Sequence, residues 1–128
     1  MRQFAGKRVL IVEDHEILAM DLAYELASEG AEVIGPVATA AAALDAIGSA
    51  DLDGGILDIK LSDTSAFPVA DAMADRHIPF VFATGYDIGV PARHANVRRI
   101  KKPVKPDVIC RALEAAMSST PCEEQICN

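Results

Sequence analysis

Tryptophan is absent from this 128-residue chain, and aromatic residues make up only 5% of it. Hydrophobic residues nevertheless account for 51%, so the core has to be built from Ala, Val, Ile and Leu. This length and hydrophobic content are typical of one soluble globular domain. The scarcity of aromatic residues favours a helical or α/β interior over a β-sandwich.

Basic residues are in deficit, because 12 Lys and Arg face 19 Asp and Glu and the net charge is −7. Such a chain is poorly suited to non-specific contact with DNA or an anionic membrane, since phosphate contacts need clustered cations. The basic run 98–105 has no interleaved aromatic residues, which favours a contact surface for an acidic protein partner over a nucleic-acid site. No apolar run is long enough for a membrane span or a signal peptide, so we expect a cytoplasmic protein.

Cysteine is also rare. Cys110, Cys122 and Cys127 cannot all pair within one chain, which excludes a disulfide scaffold. Cys122 and Cys127 are compatible with a disulfide or with half of a metal site, although no His lies near them. We interpret them as free thiols in a flexible C-terminal tail.

Short apolar runs alternate with helical patterns along the chain. Ile17, Leu18, Leu22 and Leu26 recur at helical spacing through about residue 29. Gly89 and Pro91 interrupt residues 87–96, where we expect only a short or distorted helix. The apolar runs predict five strands, at 8–12, 32–37, 54–59, 79–83 and 97–100. This alternation predicts an α/β fold with a doubly wound, five-stranded parallel sheet.

Polar side chains stand where four of these strands end. The first strand leads into Glu13 and Asp14, the third into Asp58, the fourth into Thr84 and the fifth into Lys101 and Lys102. Because the carboxyl ends of parallel strands meet at one edge of a sheet, we expect three carboxylates, a hydroxyl and an ammonium group to lie close together there.

Three carboxylates at one edge repel one another unless a cation neutralises them, and Mg²⁺ prefers such oxygen ligands. We therefore predict a Mg²⁺ site with Asp14 and Asp58 as direct ligands. Glu13 is expected to act through water, and Lys60 through its backbone carbonyl. A carboxylate held by Mg²⁺ opposite a Lys is arranged to accept a phosphoryl group, which makes phosphoryl transfer the predicted chemistry.

Four motifs resemble the receiver domain of two-component response regulators: Val9-Leu10-Ile11-Val12-Glu13-Asp14, Ile56-Leu57-Asp58, Ala83-Thr84-Gly85 and Lys102-Pro103. The resemblance covers about residues 7–118 and implies a flavodoxin-like (βα)5 fold with strand order 2-1-3-4-5. It implies that Asp58 is the phosphoacceptor, Thr84 the switch residue and Lys102 the phosphate-contacting lysine. Lys102 is preferred to Lys101 because it directly precedes Pro103.

The family implies a phosphoprotein of phosphorelay signal transduction rather than an enzyme. Its phosphoryl group would come from a histidine kinase or a histidine phosphotransfer protein, and its aspartyl phosphate would hydrolyse slowly. The run Pro79–Tyr86 is similar to the P-F-x-F-A-T-G-Y signature of a subgroup that works with HWE-type kinases. We expect a stand-alone receiver at residues 1–119, a flexible tail at 120–128, no output domain, and a monomer or weak dimer.

The chain departs from the family pattern at three places. Ser62 stands where receivers commonly have Pro, and Ser65 where they have Gly, so we expect a more mobile loop after Asp58. Arg99 stands where the fifth strand usually carries the aromatic residue that acts with the switch threonine. Tyr86 is the candidate substitute for that aromatic residue.

Several alternatives stay open at this point. A phosphate sink and a receiver that acts by binding alone share the same residues. An Asp-nucleophile phosphohydrolase is disfavoured because its general acid would stand two residues after Asp58, where the chain has Lys60. Among the histidines, His15 is expected to begin the first helix, and His77 and His94 are expected on the surface.

Overall fold

The computed structural model describes residues 4–85 and 89–118. The predicted boundary at residue 119, the expected tail at 120–128 with Cys122 and Cys127, and the candidate switch residue Tyr86 lie outside the described residues.

Within residues 4–85 and 89–118, five parallel strands form one sheet in the order β2-β1-β3-β4-β5. The predicted fold class and strand order are therefore confirmed. The central strands are buried on both faces, which explains their continuous runs of apolar residues. The strands are β1 (Arg8–Val12), β2 (Glu32–Val37), β3 (Gly54–Leu57), β4 (Phe80–Thr84) and β5 (Arg99–Lys101).

In the part of the chain that the structure describes, four α-helices cover the two faces of the sheet: α1 (Glu16–Ser28), α2 (Ala40–Ser49), α3 (Phe67–Asp75) and α4 (Pro106–Ser118). One hydrophobic cluster packs α2 and α3 against the sheet, and a second packs α1 and α4 against its other face. Because the helices cover the two faces of the sheet, the polar residues that follow the strands lie at its carboxyl edge, between the two layers of helices. Within the described residues, none of the helices has the length and apolar character needed to cross a membrane.

Helix α1 buries Leu22 and Leu26, but Ile17, which recurs at the same helical spacing in the sequence, is not buried. Ile17 is 68% exposed. Leu18, Leu22 and Leu26 are four residues apart and form one row along the helix. Ile17 lies about 100° around the helix axis from that row. His15 begins the helix as expected, since its Nδ1 accepts a hydrogen bond from the backbone N–H of Leu18 at 3.4 Å.

Between β4 and β5, the described residues contain only a 3₁₀ turn at Ala92–His94, in agreement with the short or distorted helix expected there. His94 is 3% exposed, so its expected surface position is wrong. Its ring lies edge-on to Phe80 and Phe82, with centroids 6.0 and 6.3 Å away. His94 Nε2 is 2.8 Å from the carboxylate of Asp71 on α3. A single polar partner therefore allows the imidazole to take a core position.

His94→Asn is expected to destabilise the fold by about 2–3 kcal/mol, because it removes a packed ring from an aromatic pocket. The matched control is His77→Asn. His77 is exposed with φ 58°, a backbone conformation that Asn tolerates, so we expect a change within about 0.5 kcal/mol. Urea unfolding of the two variants measures the difference. Equal stabilities would contradict a structural role for the buried ring.

Candidate functional site

The acidic residues of the site are held by hydrogen bonds that extend the sheet beyond its strands. The backbone N–H of Glu13 donates to the carbonyl of Val37 at 2.9 Å, and the N–H of Asp58 donates to the carbonyl of Val12 at 2.8 Å. These bonds fix the backbone of both residues at the carboxyl edge of the sheet. The positions of their side chains are therefore set by the central strands and not by a loop.

Three carboxylates meet at this edge. Glu13, Asp14 and Asp58 each offer an oxygen within 4.8 Å of the others. Glu13 and Asp58 are buried and Asp14 is exposed. Such a group is unfavourable by itself, because like charges this close raise the free energy of one another's ionised forms.

Lys102 supplies the opposite charge. Its Nζ lies 2.6 Å from Oε1 of Glu13 and 3.2 Å from Oδ2 of Asp58. The backbone N–H of Lys102 donates to the carbonyl of Thr84 at 2.9 Å, which continues the β4–β5 pairing and aims the lysine at the acids. Lys101, the alternative considered from the sequence, is exposed. The ammonium group thus bridges two of the three carboxylates.

The ionised form of Glu13 is disfavoured by its surroundings. Burial raises the pKa of its carboxyl above the ordinary value, and the charge of Asp58 adds to the rise. The hydrogen bonds from Lys102 and from the backbone N–H of His15, at 3.0 Å, oppose it. The carboxyl therefore binds a proton more tightly in the folded protein than in the unfolded chain.

The donor set fits a hard divalent cation, because carboxylate oxygens at one open edge are the ligands that Mg²⁺ takes while it keeps water in its other positions. Glu13, Asp14 and Asp58 are the residues able to hold it. Lys60, whose backbone carbonyl is the other predicted ligand, is exposed two residues beyond Asp58. Thr84 is buried at the end of β4.

Mg²⁺ affinity is expected to fall as the pH falls through the raised pKa of Glu13, by up to about tenfold per pH unit, because protonation of Glu13 removes a negative charge from the carboxylate cluster that attracts the cation. The stability of the metal-free protein should change in the opposite direction and rise as the pH falls. Ionised Glu13 opposes folding above its raised pKa, and acidification removes this penalty. Calorimetric Mg²⁺ titrations at about pH 7 and pH 5 measure the effect. Glu13→Gln should lose most of this dependence, and an unchanged pH profile in the variant would contradict the assignment.

The roles of two carboxylates, Asp63 and Asp71, could not be predicted from the sequence. Asp63 accepts hydrogen bonds from the start of α2, and Asp71 binds Arg93 and His94. Both carboxylates bind groups that lie more than 20 residues away in the chain. The sequence predicts that such residues lie in loops or on a helix surface, but no local pattern predicts their distant partners.

A curated relative is similar over most of the chain. The transcriptional regulatory protein PdtaR of Mycobacterium tuberculosis is 31% identical over 117 residues, which is 88% of this chain and 57% of PdtaR. The chain thus spans a little more than half the length of that relative. No family model matches the chain.

Solved structures share the fold. SdrG from Sphingomonas melonis Fr1 is 36% identical with a TM-score of 0.76, covering 93% of this chain and all of SdrG. The response regulator PhyR from Brucella abortus is 27% identical with a TM-score of 0.77, covering 97% of this chain and 51% of PhyR. The receiver domain of the sensor histidine kinase PA1611 from Pseudomonas aeruginosa PAO1 has the same fold, with 21% identity, a TM-score of 0.76, and coverage of 90% of this chain and all of that one. That structure has a magnesium ion in its active site cleft.

Proposed function

The chain belongs to the response regulator receiver domains, and we propose that its Asp58 accepts a phosphoryl group from a histidine kinase or a histidine phosphotransfer protein. The observation that carries this proposal is Lys102 Nζ, which reaches both Asp58 and Glu13 in the acidic cluster. A phosphoryl acceptor needs a carboxylate nucleophile beside positive charge, and this edge of the sheet supplies both.

In the proposed step, a carboxylate oxygen of Asp58 attacks the phosphorus of a phosphohistidine. A P–O bond forms as the P–N bond breaks, and the departing imidazole keeps the electron pair of that bond. In this step Lys102 gives up its contact with Asp58 and binds the phosphoryl oxygens, whose negative charge it neutralises. Loss of the group would follow when water attacks the phosphorus in line: a new P–O bond forms as the P–O bond to Asp58 breaks, and the carboxylate leaves with the electron pair.

Mg²⁺ bound at the site would neutralise the transferring phosphoryl oxygens and the carboxylates together. We assign Asp14, Asp58 and the Lys60 backbone carbonyl as its ligands, with Glu13 acting through water. The support is the shared position of the three carboxylates and their need for a counter-charge. Glu13 is already paired with Lys102, which is consistent with an indirect role for its carboxylate.

Thr84 is proposed to bind the new phosphoryl group through its hydroxyl and so couple phosphorylation to the segment that follows β4. Its place at the end of β4, next to the backbone of Lys102, supports this role. The phosphorylated chain would then change its affinity for a protein partner. Tyr86 as the substitute switch aromatic, an HWE-type kinase as the donor, the stand-alone arrangement and a cytoplasmic location all stay predictions.

The direct test is to incubate the chain with Mg²⁺ and acetyl phosphate and to read its intact mass. We expect one added phosphoryl group, lost slowly after the donor is removed, and no addition when a chelator replaces Mg²⁺. The matched measurement is binding of beryllofluoride followed by the amide NMR shifts of residues 58–60 and 84. Intact Mg²⁺ binding with neither phosphorylation nor beryllofluoride binding would overturn the proposal in favour of a receiver that acts by binding alone.

A further inference from the structure

The segment that follows Asp58 is hydrogen-bonded to the start of α2, more than 20 residues earlier in the chain. We call residues 59–66 the acceptor loop. Near its tip, Asp63 accepts hydrogen bonds from two backbone N–H groups of α2: Ala40 donates to Oδ1 at 2.9 Å, and Ala41 donates to Oδ2 at 3.3 Å. Both oxygens of one carboxylate are therefore used to hold the loop against the start of α2.

Helix α2 offers no substitute for this carboxylate. It has no acidic residue in its own first turn, and its N-cap Thr39 satisfies a different donor, the N–H of Ala42, at 3.1 Å. The free N–H groups of a helix start favour an adjacent anion. Consistently, the bonds from Ala40 and Ala41 lower the pKa of the Asp63 carboxyl, so it is ionised across the working pH range. The anion that α2 requires comes from the acceptor loop.

The acceptor loop is also folded upon itself. The N–H of Leu61 donates to the carbonyl of Thr64 at 2.9 Å, and the N–H of Ala66 donates to the carbonyl of Ile59 at 2.8 Å. Lys60 and Ser65 pair across the loop in antiparallel fashion. A displacement at the tip is thereby carried back to Lys60, which lies two residues from Asp58.

We propose that Asp63 is a positioning residue of the phosphoacceptor site: by binding the start of α2 it fixes the acceptor loop, and with it the Lys60 carbonyl, beside Asp58. The inference deepens the proposed function and rests on it. It also explains how the loop is held although Ser62 and Ser65 replace the Pro and Gly expected of the family. The side chains of Ile59 and Leu61, which are buried in the core beneath α2 and α3, anchor the base of the same loop.

The test compares Asp63→Ala with two controls. Thr39→Ala removes the other side-chain cap of α2, so it weakens the helix start without touching the acceptor loop. Asp45→Asn removes one negative charge from an exposed position on the same helix. Three quantities are measured for each full-length variant: the Mg²⁺ dissociation constant by calorimetry without any phosphodonor, the rate of phosphorylation by acetyl phosphate, and the melting temperature.

Asp63→Ala is expected to raise the Mg²⁺ dissociation constant by about tenfold and to slow phosphorylation in proportion, as loss of residues that orient metal ligands does elsewhere. Asp63→Asn, which keeps one acceptor oxygen, should recover part of both losses. Thr39→Ala should lower the melting temperature to a similar extent but leave the dissociation constant within about twofold. Asp45→Asn should match the wild type.

The outcomes separate this inference from the proposed function. If Asp63→Ala and Thr39→Ala bind Mg²⁺ equally well, Asp63 is a helix cap only and the inference is wrong. Wild-type protein that binds no Mg²⁺ would overturn it as well. If the wild type is never phosphorylated but Asp63→Ala still weakens Mg²⁺ binding, the positioning role stands and the proposed function fails.

Discussion

Replacing Asp58 with Asn is expected to abolish phosphorylation by acetyl phosphate, with a loss of at least about a thousandfold in rate. An amide oxygen carries no negative charge and is a poor nucleophile, while the side chain keeps its size at the end of β3. Intact mass after incubation with Mg²⁺ and acetyl phosphate measures the effect. Asp45→Asn, the same change at an exposed position of α2, should leave the adduct at the wild-type level.

We expect the Asp58→Asn variant to fold, so a loss of phosphorylation would not be due to misfolding. Asp58→Asn removes one charge from a cluster of three carboxylates, so the metal-free variant should be at least as stable as the wild type. Its Mg²⁺ affinity should nevertheless fall, because one ligand charge is lost. An undiminished adduct in a folded Asp58→Asn variant would place the acceptor on another residue and remove the basis of the proposed function.

Replacing Lys102 with Met is expected to destabilise the metal-free protein by about 3 kcal/mol. The change leaves the buried carboxylates of Glu13 and Asp58 without the ammonium group that contacts both. It should also raise the pKa of Glu13 further, because the hydrogen bond and charge of Lys102 are among the contributions that lower it. Mg²⁺ should restore a large part of the lost stability, since a bound cation supplies the missing positive charge.

Urea unfolding with and without Mg²⁺ measures both parts of this prediction, and Lys101→Met is the matched control. Lys101 is exposed, so its replacement should change stability by no more than about 0.5 kcal/mol. For signalling, Lys102→Met should still bind Mg²⁺ but should respond weakly to beryllofluoride. Equal stabilities of the two variants without Mg²⁺ would show that Lys102 does not compensate the buried acids.

The strands and the acidic edge could be predicted because each depends on local sequence. A run such as Arg8–Val12 is β-branched and apolar because it is buried on both faces, and the residue after a parallel strand lies at the ligand-binding edge whatever the helices do. Glu13, Asp14 and Asp58 were therefore placed together by topology alone. The same rule brings Lys101 and Lys102 to this edge, since β5 pairs with β4, and the choice of Lys102 comes from the resemblance of Lys102-Pro103 to the receiver pattern.

The positions that could not be predicted depend on contacts between distant segments. His94 is a polar residue in a loop, which favours the surface, and it is buried only because Asp71 on another helix accepts its hydrogen bond. Asp63 is one acid of a polar loop until α2 is placed beside it. For both residues the partner lies 23 residues away, and neither pair has a spacing that helices or strands impose.

The backbone amides of the 3₁₀ turn at Ala92–His94 should exchange with solvent more readily than those of the central strands β1 and β3. Backbone hydrogen bonds of this stretch are local, joining His94 to Pro91, Ala95 to Ala92 and Val97 to His94. Breaking them leaves the pairing of β1 with β3 intact, so these amides should exchange through a local opening long before those of β1 and β3, which require global unfolding. The free energy of that opening depends on the packing of the His94 ring against Phe80 and Phe82 and on its hydrogen bond to Asp71. The stretch between β4 and β5 can therefore rearrange while β1 and β3, which lead into Glu13, Asp14 and Asp58, stay closed.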